Sequence, residues 1–377
     1  MMHYTLHLTN QCNMACTYCY VNKDQVISME RETAVKAVNM AAEAKNSTGI
    51  IFFGGEPLMQ KNLIYETVEY CTWLEKKHRG RFHYKVTTNG LLLDEAFMEF
   101  SLQEHIFIAF SHDGIREAHD KHRVDNKGKG TFEKLAGKIE LLLSKRPYAP
   151  VLMVVSPDTV EFYAESVQYL YQSGFRYLIC SLNYAAAWTD RDLKKLKIQY
   201  EKLAAFYLDR TRAENKFYLS PFEVKISSHI NGKTYIRERC ELGKKQISVG
   251  PDGTLFPCVQ FVGEKEFAMG HVDTGINEKR REALYGFNEA EKEDCSRCAI
   301  KSRCNHHCGC LNKQATGSME KVSPVLCAHE RILVPIADRL AEKLYQKRNP
   351  LFIQKHYNDM YPLLSLIEDQ KTTHKSN

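Results

Sequence analysis

This sequence predicts an α/β fold built on parallel strands, followed by a smaller cysteine-rich region. Strand-like and helix-like segments alternate up to about residue 182, and such βαβ alternation is typical of open parallel sheets and barrels. Four loops, TNQC, GGEP, TTNG and SHDG, each follow a predicted strand. Because function collects at the carboxyl ends of parallel strands, we expect these loops to face one site.

The elements of the first lobe follow from hydrophobic periodicity and turn residues. Residues 4–9 form the first strand, and residues 29–44 form a helix capped by Ser28. The next strands are predicted at 49–53, 82–87, 106–111, 150–156 and 176–182, and the helices between them at 62–77, 94–102, 131–143 and 161–173. A long helix over 190–212 leads out of this lobe.

The apolar periodicity weakens after about residue 220, where strands become short, helices few and cysteines dense. Metal sites supply the stability that such a segment lacks. A helix returns over 328–347, followed by a polar–aromatic tail. A chain of 377 residues usually exceeds one hydrophobic core. We therefore predict three parts: a barrel with its linker helix (1–220), a cluster domain (221–330), and a helix with tail (331–377).

Charge and hydropathy exclude several classes of function. The net charge is +6 with no long basic block, which argues against a nucleic-acid partner. No apolar stretch approaches the ~20 residues of a membrane span, and the N-terminus does not have the pattern of a signal peptide. We expect a cytoplasmic protein, in which the 13 cysteines are metal ligands or catalytic groups rather than disulfides.

Cys12, Cys16 and Cys19 lie directly after the first strand. Three thiolates leave one iron of a [4Fe–4S] cluster without a protein ligand, and a small molecule can bind there. The alternative is a zinc site completed by His3 or His7. Short-spaced cysteines of structural zinc sites usually come in pairs, so this triplet fits zinc poorly.

The triplet, CNMACTYC with Tyr18 at the aromatic position, resembles the radical S-adenosylmethionine (SAM) superfamily. The resemblance implies a partial (β/α)6 barrel in which SAM chelates the open iron. An electron from a donor such as flavodoxin or ferredoxin then cleaves SAM to a 5′-deoxyadenosyl radical, which abstracts a substrate hydrogen atom. It also implies SAM contacts from the motif loops, at Tyr18, Gly54, Gly55, Glu56, Pro57, Asn89, Ser111, Asp113 and Arg123.

The C-terminal cysteines resemble the seven-cysteine signature of SPASM domains, which hold two auxiliary [4Fe–4S] clusters. The resemblance implies three clusters in all. It assigns Cys240, Cys258 and Cys308 to the first auxiliary cluster, and Cys295, Cys298, Cys304 and Cys327 to the second. Two structural zinc ribbons are the alternative, and the x5 and x3 spacings argue against them. Cys71 and Cys180 are expected to be buried, apolar-like thiols.

Related enzymes often supply a fourth ligand to the first auxiliary cluster from a cysteine just upstream, and residues 225–239 contain none. We therefore hypothesise an open iron that binds a substrate thiolate. Ligation of that iron by Cys310, Cys180 or any other side chain would contradict the hypothesis.

Enzymes with SPASM domains mostly modify peptides and proteins, so the resemblance favours maturation of a ribosomally made peptide, for example by thioether or other cross-links. Oxidation of Cys or Ser to formylglycine, as in anaerobic sulfatase maturases, is the alternative. Those enzymes carry an Asp as proposed base where Val259 stands here, and valine cannot accept a proton.

Two other classes remain open, a non-catalytic iron–sulfur electron carrier and an enzyme that modifies a small molecule. An electron carrier needs no SAM pocket, so the motif loops argue against it. The chain begins at the first barrel strand, which leaves no room for an N-terminal leader-binding module. Recognition would then fall to a separate leader-binding protein, a short substrate or residues 348–377.

Overall fold

The computed structural model describes residues 2–22, 26–43, 47–77, 79–232 and 240–365. These residues form one nine-stranded sheet with helices packed against it. The first seven strands are β1 (Met2–Thr9), β2 (Thr48–Gly54), β3 (Phe82–Thr88), β4 (Phe107–Ser111), β5 (Pro150–Val155), β6 (Tyr177–Leu182) and β7 (Tyr218–Leu219). Each pairs in parallel with the next, so the sheet runs in sequence order from β1 to β7. All six predicted strands are present, and the predicted fold class is confirmed.

Helices fill the connections because parallel neighbours need a crossover between them. They are α1 (Arg31–Ala42), α2 (Lys61–Lys76), α3 (Glu95–Gln103), α4 (Arg116–His122), α5 (Phe132–Lys145), α6 (Tyr163–Gln172) and α7 (Asp190–Arg212). The strands are apolar, and Leu6, Leu8, Ile50, Phe52 and Val86 are fully buried under these helices.

Two details of the predicted helices are wrong. The N-cap of α1 is Glu30, with no side-chain cap hydrogen bond, whereas Ser28 lies further upstream and donates to Thr9 Oγ1. The predicted end of this helix at residue 44 lies outside the described residues. The sequence prediction also missed α4, a seven-residue helix of mostly charged residues that places His122 and Arg123.

The cysteine-rich region adds its own strands to the same sheet. These are β8 (Gln246–Val249) and β9 (Leu255–Phe256), and a separate hairpin is formed by β10 (Gly270–His271) and β11 (Gly275–Ile276). Strand β8 pairs in parallel with β1, and β9 runs antiparallel to β8. The sheet therefore crosses the predicted boundary near residue 220.

Helices are more numerous in this region than predicted. They are α8 (Ser220–Asn231), α9 (Glu278–Glu289), α10 (Gly309–Thr316), α11 (Pro324–Gln346) and α12 (Pro350–Tyr357). Helix α11 packs on α7 and α8 and so joins the end of the chain to the barrel. None of the described helices combines the length and the hydrophobicity that a membrane span requires.

Candidate active site

A cavity of about 900 Å³ opens at the carboxyl ends of the parallel strands. The loop after β1 that contains the cysteine triplet (residues 10–19, called the cluster loop below) lines it with Cys12, Cys16 and Cys19. Loops after the next three strands contribute Gly54, Gly55, Asn89 and Ser111. The predicted convergence of the four motif loops is therefore confirmed.

The cluster loop is fixed by the segment that follows α4. Backbone amides of Ala15 and Thr17 donate to the carbonyls of Val124 and His122, at 2.8 and 3.0 Å. From the other side, Asn89 Nδ2 donates to Asn13 Oδ1 at 2.8 Å and to Cys12 Sγ at 3.5 Å. Asn89 therefore orients the first predicted cluster ligand.

Both glycines of the GGEP loop lie so close to the backbone at residues 9–11 that neither position has space for a side chain. Gly54 has φ = +128°, and a Cβ there would lie 2.3 Å from the carbonyl oxygen of Thr9. A Cβ on Gly55 would lie 2.0 Å from the carbonyl oxygen of Gln11. The Gly55 and Glu56 amides donate to these same two carbonyls, at 2.7 and 2.8 Å. Glycine therefore permits backbone-to-backbone contact between the two loops.

Glu56 ties the same loop to the end of β3. Its carboxylate accepts hydrogen bonds from Thr88 Oγ1 at 2.7 Å, from the Asn89 amide at 2.8 Å and from the Leu58 amide at 3.0 Å. Burial raises the pKa of Glu56 to about 7, although these donors oppose the shift. Its neighbour Pro57 is buried and does not line the cavity.

A buried ion pair holds two other predicted contacts. Asp113 Oδ2 accepts from the Tyr18 hydroxyl at 2.5 Å and lies 3.0 Å from Arg123 Nε, while Oδ1 accepts from the Val154 amide at 3.0 Å. The Arg123 guanidinium also lies 5.6 Å from the centre of the Tyr18 ring. Tyr18 and Arg123 line the cavity, whereas Asp113 lies behind them and positions both.

Sequence reasoning missed a polar chain on the cavity wall. The Thr17 hydroxyl lies 2.6 Å from His122 Nδ1, and His122 Nε2 lies 2.9 Å from Asp158 Oδ1. All three residues line the cavity. Asp158 follows β5 and His122 ends α4, so no local motif signals the pair. This imidazole–carboxylate pair can accept a proton.

The cysteine-rich region closes one side of the cavity with Gln260, Leu311 and Gln314. The Gln260 Oε1 atom is buried and has no hydrogen-bond partner among the described residues. Val259 lines a different cavity, beside Phe256 and Val262. Of the two residues after Cys258, Gln260 lines the active-site cavity with its amide side chain, whereas Val259 lines the other cavity.

Four predicted ligands of the second auxiliary cluster share one cavity of about 260 Å³, lined by Cys295, Cys298, Cys304 and Cys327. Arg331 also lines it, and its Nε donates to Cys327 Sγ at 3.4 Å. A cation beside four thiolates fits a site that accumulates negative charge. His306 lines this cavity too. His306 and His307 are both buried.

The predicted ligands of the first auxiliary cluster also lie together. Cys258 Sγ and Cys308 Sγ lie 3.4 and 3.5 Å from the sulfur of Cys310. Burial, and after it the neighbouring Cys308 and Cys258, raise the pKa of Cys240 to about 12. By contrast, Cys71 is fully buried in α2 and Cys180 is half-buried in β6. Burial raises the pKa of both thiols to about 12, as expected for apolar-like cysteines.

Comparisons with known proteins agree with this geometry. The family model of the radical SAM superfamily matches residues 6–185. The cysteine-type anaerobic sulfatase-maturating enzyme of Clostridium perfringens (strain 13 / Type A) is 24% identical over 342 residues, which cover 79% of this chain and 85% of the relative.

Two solved structures share the fold at lower identity. The structure of anSMEcpe with bound AdoMet (SAM) and a peptide has a TM-score of 0.76 at 20% identity, covering 91% of this chain and 99% of that one. Streptococcus suis SuiB bound to precursor peptide SuiA has a TM-score of 0.62 at 13% identity, covering 86% of this chain and 75% of that one.

Proposed function

We propose that this chain is a radical SAM enzyme that modifies a peptide or protein substrate in the maturation of a ribosomally made peptide. The match of residues 6–185 to the family model of the radical SAM superfamily supports this proposal. Cys12, Cys16 and Cys19 would hold a [4Fe–4S] cluster with SAM, which would supply the radical chemistry for abstracting a hydrogen atom from the substrate. A relative is named as a sulfatase-maturating enzyme, and two structures of the same fold contain peptides. These comparisons support a polypeptide substrate.

Three cysteines in the cluster loop fit the SAM-binding cluster. Cys12, Cys16 and Cys19 face one cavity, and Asn89 already donates to the first of them. Gly54, Gly55, Glu56, Asn89, Ser111, Tyr18 and Arg123 surround the same space and are the proposed SAM contacts. We assign Asp113 and Pro57 a positioning role, because both lie behind the cavity wall.

The two C-terminal thiol sets fit the proposed auxiliary clusters. Cys295, Cys298, Cys304 and Cys327 would hold one cluster, while Cys240, Cys258 and Cys308 would ligate the other. The proposed division into a barrel (1–220), a cluster domain (221–330) and a terminal segment (331–377) separates the SAM-binding site from the auxiliary sites, while β8 and β9 of the second part join the barrel sheet. A flavodoxin or ferredoxin is the proposed electron donor, and a separate leader-binding protein is a proposed partner.

The volume and the lining residues of the active-site cavity favour peptide maturation. Its volume of about 900 Å³ is near the upper end of the range for small-ligand sites, so a substrate side chain has space beside SAM. After Cys258 the cavity receives the Gln260 amide instead of a carboxylate. An amide binds peptide groups through its donor and acceptor but does not accept a proton at neutral pH.

Co-expression tests this proposal directly. The chain would be produced anaerobically with each short reading frame that flanks its gene, and the peptides would be analysed by mass spectrometry. A peptide that changes mass only with the intact Cys12, Cys16 and Cys19 triplet supports the proposal. Peptides that stay unmodified while the purified enzyme cleaves SAM would favour a small-molecule substrate.

Formylglycine formation is the second candidate, and the His122–Asp158 pair favours it. That reaction requires a base, and this pair offers one in the cavity although Val259 does not. The likeness to the Clostridium perfringens relative extends over most of both chains.

A peptide carrying the sulfatase cysteine motif distinguishes the two candidates. Formylglycine detected by mass spectrometry, and lost in Asp158→Asn, would establish the second candidate. No formylglycine, together with a modified flanking peptide, would exclude it.

A further inference from the structure

The C-terminal cysteine that falls outside the seven-cysteine pattern, Cys310, lies beside two predicted ligands of the first auxiliary cluster. Cys310 Sγ is 3.4 Å from Cys258 Sγ and 3.5 Å from Cys308 Sγ. It is buried, with 6% of its surface exposed, whereas Cys258 and Cys308 are half-buried and Cys240 is exposed. Cys310 is therefore the most enclosed thiol of the group.

Local structure holds Cys310 in this position. Cys308 is the N-cap of α10, and Cys310 lies in its first turn. Gly309 between them donates to Asn288 Oδ1 at 2.9 Å, and a Cβ there would lie 2.7 Å from that same oxygen. Asn312 anchors the helix through hydrogen bonds to the His306 carbonyl and from the Ser323 amide. The turn thus brings both sulfurs to one side.

We infer that Cys310 is the fourth thiolate of the first auxiliary cluster, completing the set formed by Cys240, Cys258 and Cys308. The inference rests on the proposed presence of that cluster. Each thiol loses its proton when it binds iron, and four thiolates complete a [4Fe–4S] cluster. Cys310 replaces the upstream cysteine that residues 225–239 do not contain.

Complete ligation changes the role of this cluster. No iron remains open for a substrate thiolate, so the open-iron hypothesis is replaced by electron transfer through a closed cluster. Gln260 and Leu311, which are close in sequence to Cys258 and Cys310, line the active-site cavity, so the two sites are near neighbours. A closed cluster beside this cavity is suited to accept an electron from the active site.

A single zinc ion is the competing occupant, because a structural zinc site also uses four thiolates. Metal analysis distinguishes a zinc ion from an iron–sulfur cluster.

The test removes the SAM-binding cluster first, so that its result does not depend on catalysis. In the parent variant Cys12→Ala/Cys16→Ala/Cys19→Ala, two auxiliary cubanes should give roughly eight irons after anaerobic reconstitution. Cys310→Ala in this background leaves three thiolates and an open iron. Adding 2-mercaptoethanol should then change the electron paramagnetic resonance (EPR) spectrum of the reduced variant but leave that of the parent unchanged.

Two further variants separate ligation from a structural role. Cys71→Ala removes another buried thiol, far from the clusters in α2, and should match the parent. Cys310→Ser keeps an oxygen ligand and should retain about four irons per cluster with a shifted EPR spectrum. A parent that responds to added thiol would overturn the inference, as would zinc in place of iron, or Cys310 variants with the parent's spectrum. None of these readouts requires a peptide, so they are independent of the proposed substrate.

Discussion

Asp113 is the residue on which two cavity side chains depend. Its carboxylate pairs with Arg123 and accepts from Tyr18, and less than a tenth of the Asp113 or Arg123 side chain is exposed. Asp113→Asn leaves the Arg123 charge buried without a counter-ion. We expect a loss of about 3–5 kcal/mol in the free energy of unfolding, together with weaker SAM binding.

Chemical denaturation and SAM titration check this expectation. Glu161→Gln is the matched control, because its ion pair with Lys195 is largely exposed, and it should cost less than about 1 kcal/mol. Similar effects of the two substitutions would contradict a positioning role for Asp113.

Glu56 should make folding stability depend on pH. Burial raises its pKa from 4.5 to about 7, so between these values the folded protein keeps a proton that the unfolded chain has released. Its contribution is greatest below about pH 4.5 and is lost as the pH rises through 7, by on the order of 3 kcal/mol.

Glu56→Gln removes this titration but places an amide N–H against the Asn89 amide. We expect a protein less stable at low pH, whose melting temperature falls less between about pH 5 and 7.5 than that of the wild type. The exposed Glu99 provides the control, as Glu99→Gln should keep the wild-type slope. An unchanged slope in Glu56→Gln would show that another group titrates.

Residues of the candidate site could be predicted where sequence motifs carry them. Cys12, Cys16 and Cys19 lie in one short loop, and periodicity places that loop after a strand. The His122–Asp158 pair could not be predicted, because 36 residues separate the partners and only the fold brings them together. The cysteine pattern does not assign Cys310, because its neighbour Cys308 already satisfies it.

At the scale of elements, local signals determined what could be predicted. Helix α7 begins and ends as predicted, because Thr189 and Asp192 form a capping box and a long amphipathic stretch follows. Ser28 was a wrong cap because its hydroxyl hydrogen-bonds to Thr9, a tertiary contact. Helix α4 is short and polar and gives no periodic signal.

The contact between the GGEP loop and the cluster loop should be sensitive to a single methyl group. In Gly55→Ala the new Cβ would lie 2.0 Å from the Gln11 carbonyl oxygen, so the two loops must separate. We expect reconstituted iron to fall from roughly twelve to roughly eight per chain, because only the SAM-binding cluster is lost.

Gly137→Ala provides the control for this substitution. Gly137 lies in α5, where an added Cβ would meet open space, so alanine should keep all the iron and stabilise the helix by up to about 1 kcal/mol. Full iron content in Gly55→Ala would contradict the close approach of the two loops.

At the scale of the whole molecule, strand β8 makes one sheet from two regions that the sequence predicts as separate lobes. Tyr4 pairs with Ile247 and Leu6 with Val249, and all four side chains are buried. Length and composition predict the barrel and the cluster domain as separate parts, but β8 has only four residues and pairs with a strand some 240 positions earlier. Periodicity within a short window does not reveal such a pairing.

We therefore expect the barrel and the cluster region to unfold together. Both tryptophans, Trp73 and Trp188, lie in the barrel half, and in the Cys12/Cys16/Cys19→Ala background visible absorbance reports only the auxiliary clusters. Ile247→Ala should lower both transitions by the same amount, about 2–5 kcal/mol, because the cavity it leaves lies in the shared core. Ile198→Ala, at a side chain that is 55% exposed, should move neither by more than about 0.5 kcal/mol. If only the cluster absorbance shifted in Ile247→Ala, the two regions would be separate folding units and β8 would be an attachment rather than part of the core.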